Sequence, residues 1–147
     1  MAEQRQATYE DAQLILRLFE LRREEKMRKA REWFSFKFLP KTLDDFKVIQ
    51  DPSAPENSYF RMVTSYWDMA ASFVVQGVLS PDLFVESGGE MLFLWAKLEE
   101  FIPQLRQTFS PHYLANIEKA VQIMPGTADR LKAIRGAIER LSKASQS

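Results

Sequence analysis

The clearest candidate for chemistry lies in an apolar segment predicted to be helical, residues 58–76. Asp68 stands there among aromatic and aliphatic residues, and a buried carboxylate has a raised pKa that suits a general acid or base. Polar residues recur close to the same helical face: Arg61, Thr64, Ser65, Ser72 and Gln76. This spacing favours a structural polar stripe, in which Asp68 pairs with Arg61 or with another helix, over a catalytic role.

Aromatic residues near this stripe offer a second kind of chemistry, because such residues line pockets for small molecules. A ligand site here would use five residues: Arg61, Tyr66, Trp67, Asp68 and Trp95. The alternative is that the aromatic residues form the core or an interface between subunits. The sequence leaves both alternatives open.

Other arrangements that carry catalysis or bind metals are missing from the sequence. Its one histidine, His112, has no serine, aspartate or second histidine at an informative spacing, which favours a surface position. The chain has no cysteine, which excludes disulfides, a thiolate nucleophile, zinc fingers and iron–sulfur clusters. We therefore predict no catalytic residue, no metal site and no cofactor, and we favour a protein that is not an enzyme.

The charged residues are balanced in number but segregated along the chain. Its 147 residues include 20 basic and 20 acidic side chains, yet residues 1–43 sum to +3, residues 44–100 to −7 and residues 101–147 to +4. This pattern indicates complementarity within the chain or between two copies. Nine of the eleven residues in 22–32 are charged, but acids interrupt the bases, so a solvated helix is favoured over a nucleic-acid-binding one.

The elements that would position these residues show helical periodicity. Thr8 is predicted to cap one long charged helix over residues 8–38. Within it, Glu24 and Arg28 have the acid-first i,i+4 order that stabilises a helix. The segment around Phe34 also alternates like a strand, but no second strand is present to pair with it, so we predict a helix.

Residues 58–109 are predicted to hold the core helices. One helix over residues 58–76 ends at Gly77, and another over residues 90–105 is expected to kink or restart where Pro103 interrupts it. Both have wide apolar faces, so we predict that they form the central pair of the core.

Two further helices are predicted towards the C-terminus. Ser110 and Pro111 are expected to open one that runs to about residue 124. Thr127 is expected to cap an amphipathic helix over residues 127–143. The apolar stripe of this last helix is narrow, as in a coiled coil: Leu131, Ile134, Ile138 and Leu141.

These elements predict an all-α fold, a single-domain irregular bundle of five to seven helices with a long N-terminal helix, over residues 1–147. The N-terminus has no apolar signal-peptide region, and the longest apolar-rich runs are far shorter than the ~20 residues that span a bilayer. Together with the absence of cysteine, this predicts a cytoplasmic protein without a membrane span.

Several segments resemble a bacterial family of short all-helical proteins of unknown function. They are Asp11-Ala12-Gln13-Leu14 through Glu32-Trp33-Phe34, Tyr59-Phe60-Arg61-Met62-Val63, Tyr66-Trp67-Asp68-Met69-Ala70, Gly77-Val78-Leu79, Asp82-Leu83-Phe84, and Trp95-Ala96-Lys97-Leu98 to Arg106. The resemblance covers residues 11–109 and implies an all-α fold. It also implies a role for the acid at Asp68, where the family usually has glutamate. Many relatives begin with an apolar membrane segment that is missing here, so the resemblance implies no anchored location.

The leading functional hypothesis is a non-enzymatic cytoplasmic protein-interaction module that binds itself, as a homodimer, or another protein. The alternative is a small-molecule-binding or enzymatic bundle that uses Asp68 and the surrounding aromatic residues, and it predicts a concave pocket that Asp68 reaches. A second alternative, nucleic-acid binding through the basic terminal helices, is disfavoured by their mixed charge and predicts salt-sensitive retention on heparin.

Overall fold

The computed structural model describes residues 5–145, and every regular element within them is helical. Eight α-helices follow along the chain: α1 (Tyr9–Arg22), α2 (Glu25–Glu32), α3 (Pro55–Val75), α4 (Pro81–Phe84), α5 (Gly89–Leu98), α6 (Ile102–Thr108), α7 (Ala115–Ile123) and α8 (Thr127–Ala144). A π-helical turn spans Trp33–Lys37, and 3₁₀-helices span Leu43–Gln50 and Glu99–Phe101. The predicted all-α bundle is confirmed. None of the described helices has the length and apolarity needed to cross a bilayer.

The start of α1 is fixed by a network around Asp11. As predicted, Thr8 caps the helix: its hydroxyl accepts from the Asp11 N–H, and the Asp11 carboxylate accepts from the Thr8 N–H. Asp11 also binds both terminal nitrogens of Arg5 at 2.7 Å and accepts from the Ser80 N–H at 2.8 Å. The Arg5 guanidinium holds the pKa of Asp11 well below its usual range. The network ties α1 to the connection between α3 and α4.

Residues 8–38 are largely helical but do not form one continuous helix. α1 ends because Glu24 has an extended backbone, with φ −59° and ψ 141°. The Glu24 carboxylate accepts hydrogen bonds from the N–H groups of Lys26 and Met27 at 3.0 and 2.9 Å, and so caps α2. The predicted pair with Arg28 does not form, because this carboxylate satisfies free N–H groups at the start of α2 instead.

The segment after α2 is helical, as predicted, but its turn is wider than that of an α-helix. The Phe38 N–H donates to the Trp33 carbonyl, five residues earlier, at 2.9 Å, and the two rings stack with centroids 4.9 Å apart. This geometry buries both Phe34 and Phe38. Thr42 then forms a capping box with Asp45, although the helix that follows is 3₁₀.

The core surrounds α3. This helix begins earlier than predicted, with Pro55 at its first position, and buries Phe60, Val63 and Trp67. α3 packs mainly against α7 and α2, whereas α5 packs against α8, so the predicted central pair is wrong: both helices belong to the core, but they are not each other's main neighbours. The predicted restart near Pro103 is confirmed, because a 3₁₀ turn separates α5 from α6.

The C-terminal helices begin differently from the prediction. Ser110 and Pro111 belong to a turn, and α7 starts only at Ala115. Phe109 and Tyr113 pack against each other across this turn, with ring centroids 4.9 Å apart. That contact favours the turn over the helix that the serine–proline pair predicted.

Thr127 is not the N-cap of α8. Gly126 occupies that position with φ 72°, a conformation that glycine adopts without strain. The Thr127 hydroxyl donates instead to the Val121 carbonyl at 2.7 Å. The apolar stripe of α8 begins with Leu131, which is buried, and Ile134, which packs against the core, so this part of the stripe serves packing within the chain.

Candidate functional site

An open cleft of about 650 Å³ lies between the first half of α3 and the turn that joins α6 to α7. This volume is within the range of ligand pockets, about 300–1,000 Å³. We call it the α3 cleft. The helix lines it with residues at helical spacing, and the turn lines its other side. The lining residues are Ser58, Phe60, Arg61, Met62, Thr64, Ser65 and Asp68 from α3, and Phe109, Ser110, His112, Tyr113 and Leu114 from the turn.

The structure brings two of the five predicted site residues, Arg61 and Asp68, into this cleft. Tyr66 is buried on another face of α3, where its hydroxyl donates to the Leu18 carbonyl at 2.5 Å. Trp67 is buried in the core. Trp95 lies on α5 and donates from its indole N–H to a carboxylate oxygen of Glu99. Tyr66 and Trp67 are separated from the cleft because they lie on other faces of α3 than Arg61 and Asp68, and no residue of α5 lines the cleft.

Asp68 has a structural task in the cleft wall. Its carboxylate accepts from the Ile117 N–H and from the Asn116 side-chain amide, both at 3.2 Å. These residues are in the first turn of α7, whose own N-cap position is taken by Leu114 with φ 55°. Leucine has no side-chain acceptor, so Asp68 caps α7 from another helix. The predicted pairing with another helix is present, and the pairing with Arg61 is not.

Arg61 is exposed at the rim of the cleft. Within residues 5–145, its guanidinium makes no hydrogen bond or ion pair, although its backbone carbonyl accepts from the hydroxyls of Thr64 and Ser65. A guanidinium presents five N–H donors in a planar fork that matches a carboxylate. Arg61 is therefore free to bind an anionic group that enters the cleft.

Tyr113 forms part of the wall opposite α3. Burial raises the pKa of its hydroxyl to about 12; a hydrogen bond with the Thr64 side chain lowers this pKa, and the negative charge of Asp68 raises it. The phenol therefore stays protonated at neutral pH and can donate or accept a hydrogen bond. Its backbone carbonyl accepts from the Arg106 side chain at 3.0 Å, which helps to hold the turn in place.

The turn contributes residues that the sequence did not identify as part of a site. His112 is exposed, as predicted, but it also lines the α3 cleft. Tyr113 fell in a segment predicted to be an ordinary helix, and Phe109 lies just before the predicted start of that helix. The signal that could have revealed them is Ser110-Pro111 flanked by aromatic residues, which is also consistent with a turn held by stacked rings.

Lys97 is also buried, and no pattern in the sequence indicated that it would be. Only 4% of its surface is exposed, and its ammonium donates to the carbonyls of Phe34 and Phe38, the latter at 2.8 Å. It also lies 4.5 Å from the ring centroids of Phe34 and Phe93. Burial lowers its pKa to about 7. Because Lys97 does not line the α3 cleft, its place in the fold is structural: it holds the π-helical turn against α5.

The acidic residues and the histidine do not converge on a metal site. In the part of the chain that the structure describes, no three of them are grouped as metal ligands would be. Asp68 and His112 share the cleft, but no further carboxylate lines it. The described cleft therefore offers a cation, Arg61, with hydroxyl and aromatic groups around it.

Comparison with known proteins identifies a family rather than an activity. A family model described as a domain of unknown function (DUF4760) matches residues 7–123, which include α3, the α6–α7 turn and α7. Comparisons with curated proteins and with solved structures give no match. Since the matched residues make up most of the chain, this protein belongs to the DUF4760 family of domains of unknown function.

Proposed function

We propose that this protein is a non-enzymatic binding domain whose α3 cleft takes a group that combines apolar surface with a carboxylate. The observation that carries the proposal is the Arg61 guanidinium at the rim of a cleft with apolar walls, which has no partner among residues 5–145. The one carboxylate of the cleft, Asp68, already caps α7, which argues against its use as a general acid or base. We place this role in the cytoplasm, in line with the cysteine-free sequence.

The two halves of the proposed ligand follow from the cleft lining. Its apolar surface comes from Phe60, Met62, Phe109 and Leu114, which would contact an aromatic or aliphatic group. Arg61 would bind the carboxylate through paired N–H donors, the strong geometry for this type of contact.

The test measures binding of 3-phenylpropionate by isothermal titration calorimetry and by chemical-shift changes. We expect Arg61→Gln to weaken binding by at least about tenfold, because one charge-assisted contact contributes roughly 1.5–3 kcal/mol. The control variant is Arg17→Gln, which removes an exposed arginine on α1 and should leave binding unchanged.

The neutral amide of the same compound provides a second control, since it keeps the ring and loses the charge. Equal affinity for the acid and the amide, or unchanged binding in Arg61→Gln, would contradict the proposal. Chemical-shift changes confined to residues outside the cleft would contradict it as well.

A second candidate function is self-association through α1. One face of this helix exposes three large apolar side chains: Tyr9, Leu16 and Phe19 are 75%, 55% and 49% exposed. Large exposed apolar side chains that share one face of a helix mark a surface for association, and we take the partner to be a second copy of this chain.

Solution mass by light scattering at micromolar concentration tests the dimer. We expect twice the chain mass for the wild type and a monomer for Leu16→Glu, because a charge at the centre of the paired faces cannot be desolvated without cost. Lys119→Glu changes an exposed residue on α7 and serves as the control. A monomeric wild type would refute self-association and leave the cleft proposal intact.

A further inference from the structure

A second cleft adjoins the α3 cleft. It has a volume of about 290 Å³ and lies between the 3₁₀-helix Leu43–Gln50 and α6. Phe109 lines both clefts and is 45% exposed. The Phe60 ring lies 6.5 Å from that of Phe109 and 6.4 Å from that of Phe46, which lines the second cleft. The two clefts thus meet at one aromatic cluster.

The second cleft differs from the first in its chemistry. Its floor is apolar, with Phe46, Ile49 and Leu105, but glutamines line its edges and no charged residue does. Across the described residues, the side-chain amides of Gln50, Gln104 and Gln107 make no hydrogen bond. Each amide offers both donors and an acceptor, as a peptide unit does.

We propose that the natural occupant of the two clefts is an extended polypeptide segment of a partner protein. The inference rests on the proposed function: a carboxylate side chain of the segment binds Arg61, an apolar side chain enters the α3 cleft, and the chain continues past Phe109. Its backbone amides then hydrogen-bond to the free glutamine amides. An alkyl chain fits the second cleft less well, because it would desolvate these amides without replacing their hydrogen bonds.

The experiment compares capped synthetic peptides of increasing length with 3-phenylpropionate. Each peptide carries one glutamate, at either end, followed by alternating leucine and serine. We expect affinity to rise by about tenfold from the shortest peptide to the longest in one of the two orientations, as the chain reaches the second cleft. Arg61→Gln should weaken the binding of both the peptides and 3-phenylpropionate.

The double variant Gln104→Ala/Gln107→Ala separates the second cleft from the first. Both glutamines are exposed, so the fold should tolerate the change. We expect the double variant to bind the long peptide no more tightly than the short one. Its affinities for the short peptide and for 3-phenylpropionate should equal those of the wild type. Gln13→Ala/Gln122→Ala removes two exposed glutamines outside both clefts and is the matched control.

Two outcomes would overturn the inference while leaving the proposed function in place. One is an affinity for peptides that does not depend on their length, although 3-phenylpropionate binds and responds to Arg61→Gln. The other is that the double glutamine variant loses the same amount of binding affinity for the short peptides as for the long ones. If 3-phenylpropionate does not bind and Arg61→Gln has no effect on any probe, the proposed function itself fails.

Discussion

Asp68 and Arg61 share one face of α3 and one cleft, but their side chains have different roles. The Asp68 carboxylate is used by two donors at the start of α7. The Arg61 guanidinium has no partner in the described part of the chain. The difference follows from position: Asp68 faces the first turn of α7, where free N–H groups need an acceptor, and Arg61 lies at the rim of the cleft.

At the residue scale, we predict that Asp68→Ala lowers the free energy of unfolding by about 1 kcal/mol, the usual effect of removing an N-cap acceptor. Asp68→Asn should retain most of the stability, because asparagine keeps a carbonyl acceptor of the same reach. Urea unfolding followed by circular dichroism measures both. A loss in Asp68→Asn as large as that in Asp68→Ala would show that charge, rather than capping, is what matters at this position.

At the scale of elements, two boundaries are set by acidic side chains in unusual capping positions. Glu24 divides the N-terminal segment into α1 and α2, and Asp68 allows α7 to begin after a leucine. A third element, the π-helical turn, depends on Lys97, whose ammonium binds two of its carbonyls. In each case a charged side chain binds free backbone groups of a helical element that has no ordinary capping residue of its own.

The buried Lys97 gives the π-helical turn a pH dependence. The folded protein releases this proton above about pH 7, whereas the unfolded chain holds it up to the ordinary lysine pKa of 10.5. The unfolded state therefore binds more protons in this window, and the free energy of unfolding rises with pH by up to about 1.4 kcal/mol per pH unit. Below pH 7, both states are protonated and the full cost of burying the charge remains.

Urea unfolding at a series of pH values between about 7 and 9.5 tests this expectation; the upper bound avoids ionising tyrosines in the unfolded chain. Lys97→Met should remove the rise of the unfolding free energy with pH, since methionine does not titrate. Lys119→Met alters an exposed lysine and should keep it. The same slope in Lys97→Met and in the wild type would refute a titrating Lys97.

At the scale of the whole molecule, the segregated charges meet partly within the chain. Arg22 and Arg31 from the basic N-terminal third pair with Glu90 of the acidic middle, at 3.8 and 3.0 Å. Arg135 from the basic C-terminal third pairs with Glu99. Internal complementarity thus accounts for two acids of the middle segment, Glu90 and Glu99.

The ion pairs of Glu90 and the ion pair of Glu99 should contribute differently to the free energy of unfolding. The Glu90 side chain is 21% exposed and that of Glu99 is 45% exposed. We predict that Glu90→Gln lowers the free energy of unfolding by about 2 kcal/mol, because it leaves two partly buried arginines without their counter-charge. Glu99→Gln should change it by less than about 0.5 kcal/mol, since water and salt screen an exposed pair.

Chemical unfolding of both variants at low and high salt measures the difference. Each change keeps the size of the side chain and replaces one carboxylate oxygen by an amide NH2, so the two variants are matched controls for each other. Similar losses in both would contradict the view that burial decides the value of these pairs.

The sequence by itself determined the helical class and those helix ends that depend on neighbouring residues. Thr8 and Pro103 mark a start and a break that the structure has, because caps and prolines act through contacts within a few residues. The polar stripe around Asp68 was also readable, as was its structural role, because its spacing follows the helical period. Among the predicted site residues, this identified Arg61 and Asp68.

Only the tertiary structure decided what these residues face. Asp68 reaches a backbone N–H 49 positions along the chain, and Lys97 reaches a carbonyl 63 positions away. The α3 cleft exists because the α6–α7 turn packs beside α3; Tyr66 and Trp67 are outside it because they lie on other faces of α3, and Trp95 because it belongs to α5. Periodicity specifies which residues share a face of a helix. It does not specify which distant element covers that face, because that choice depends on the free energy of the whole packed chain.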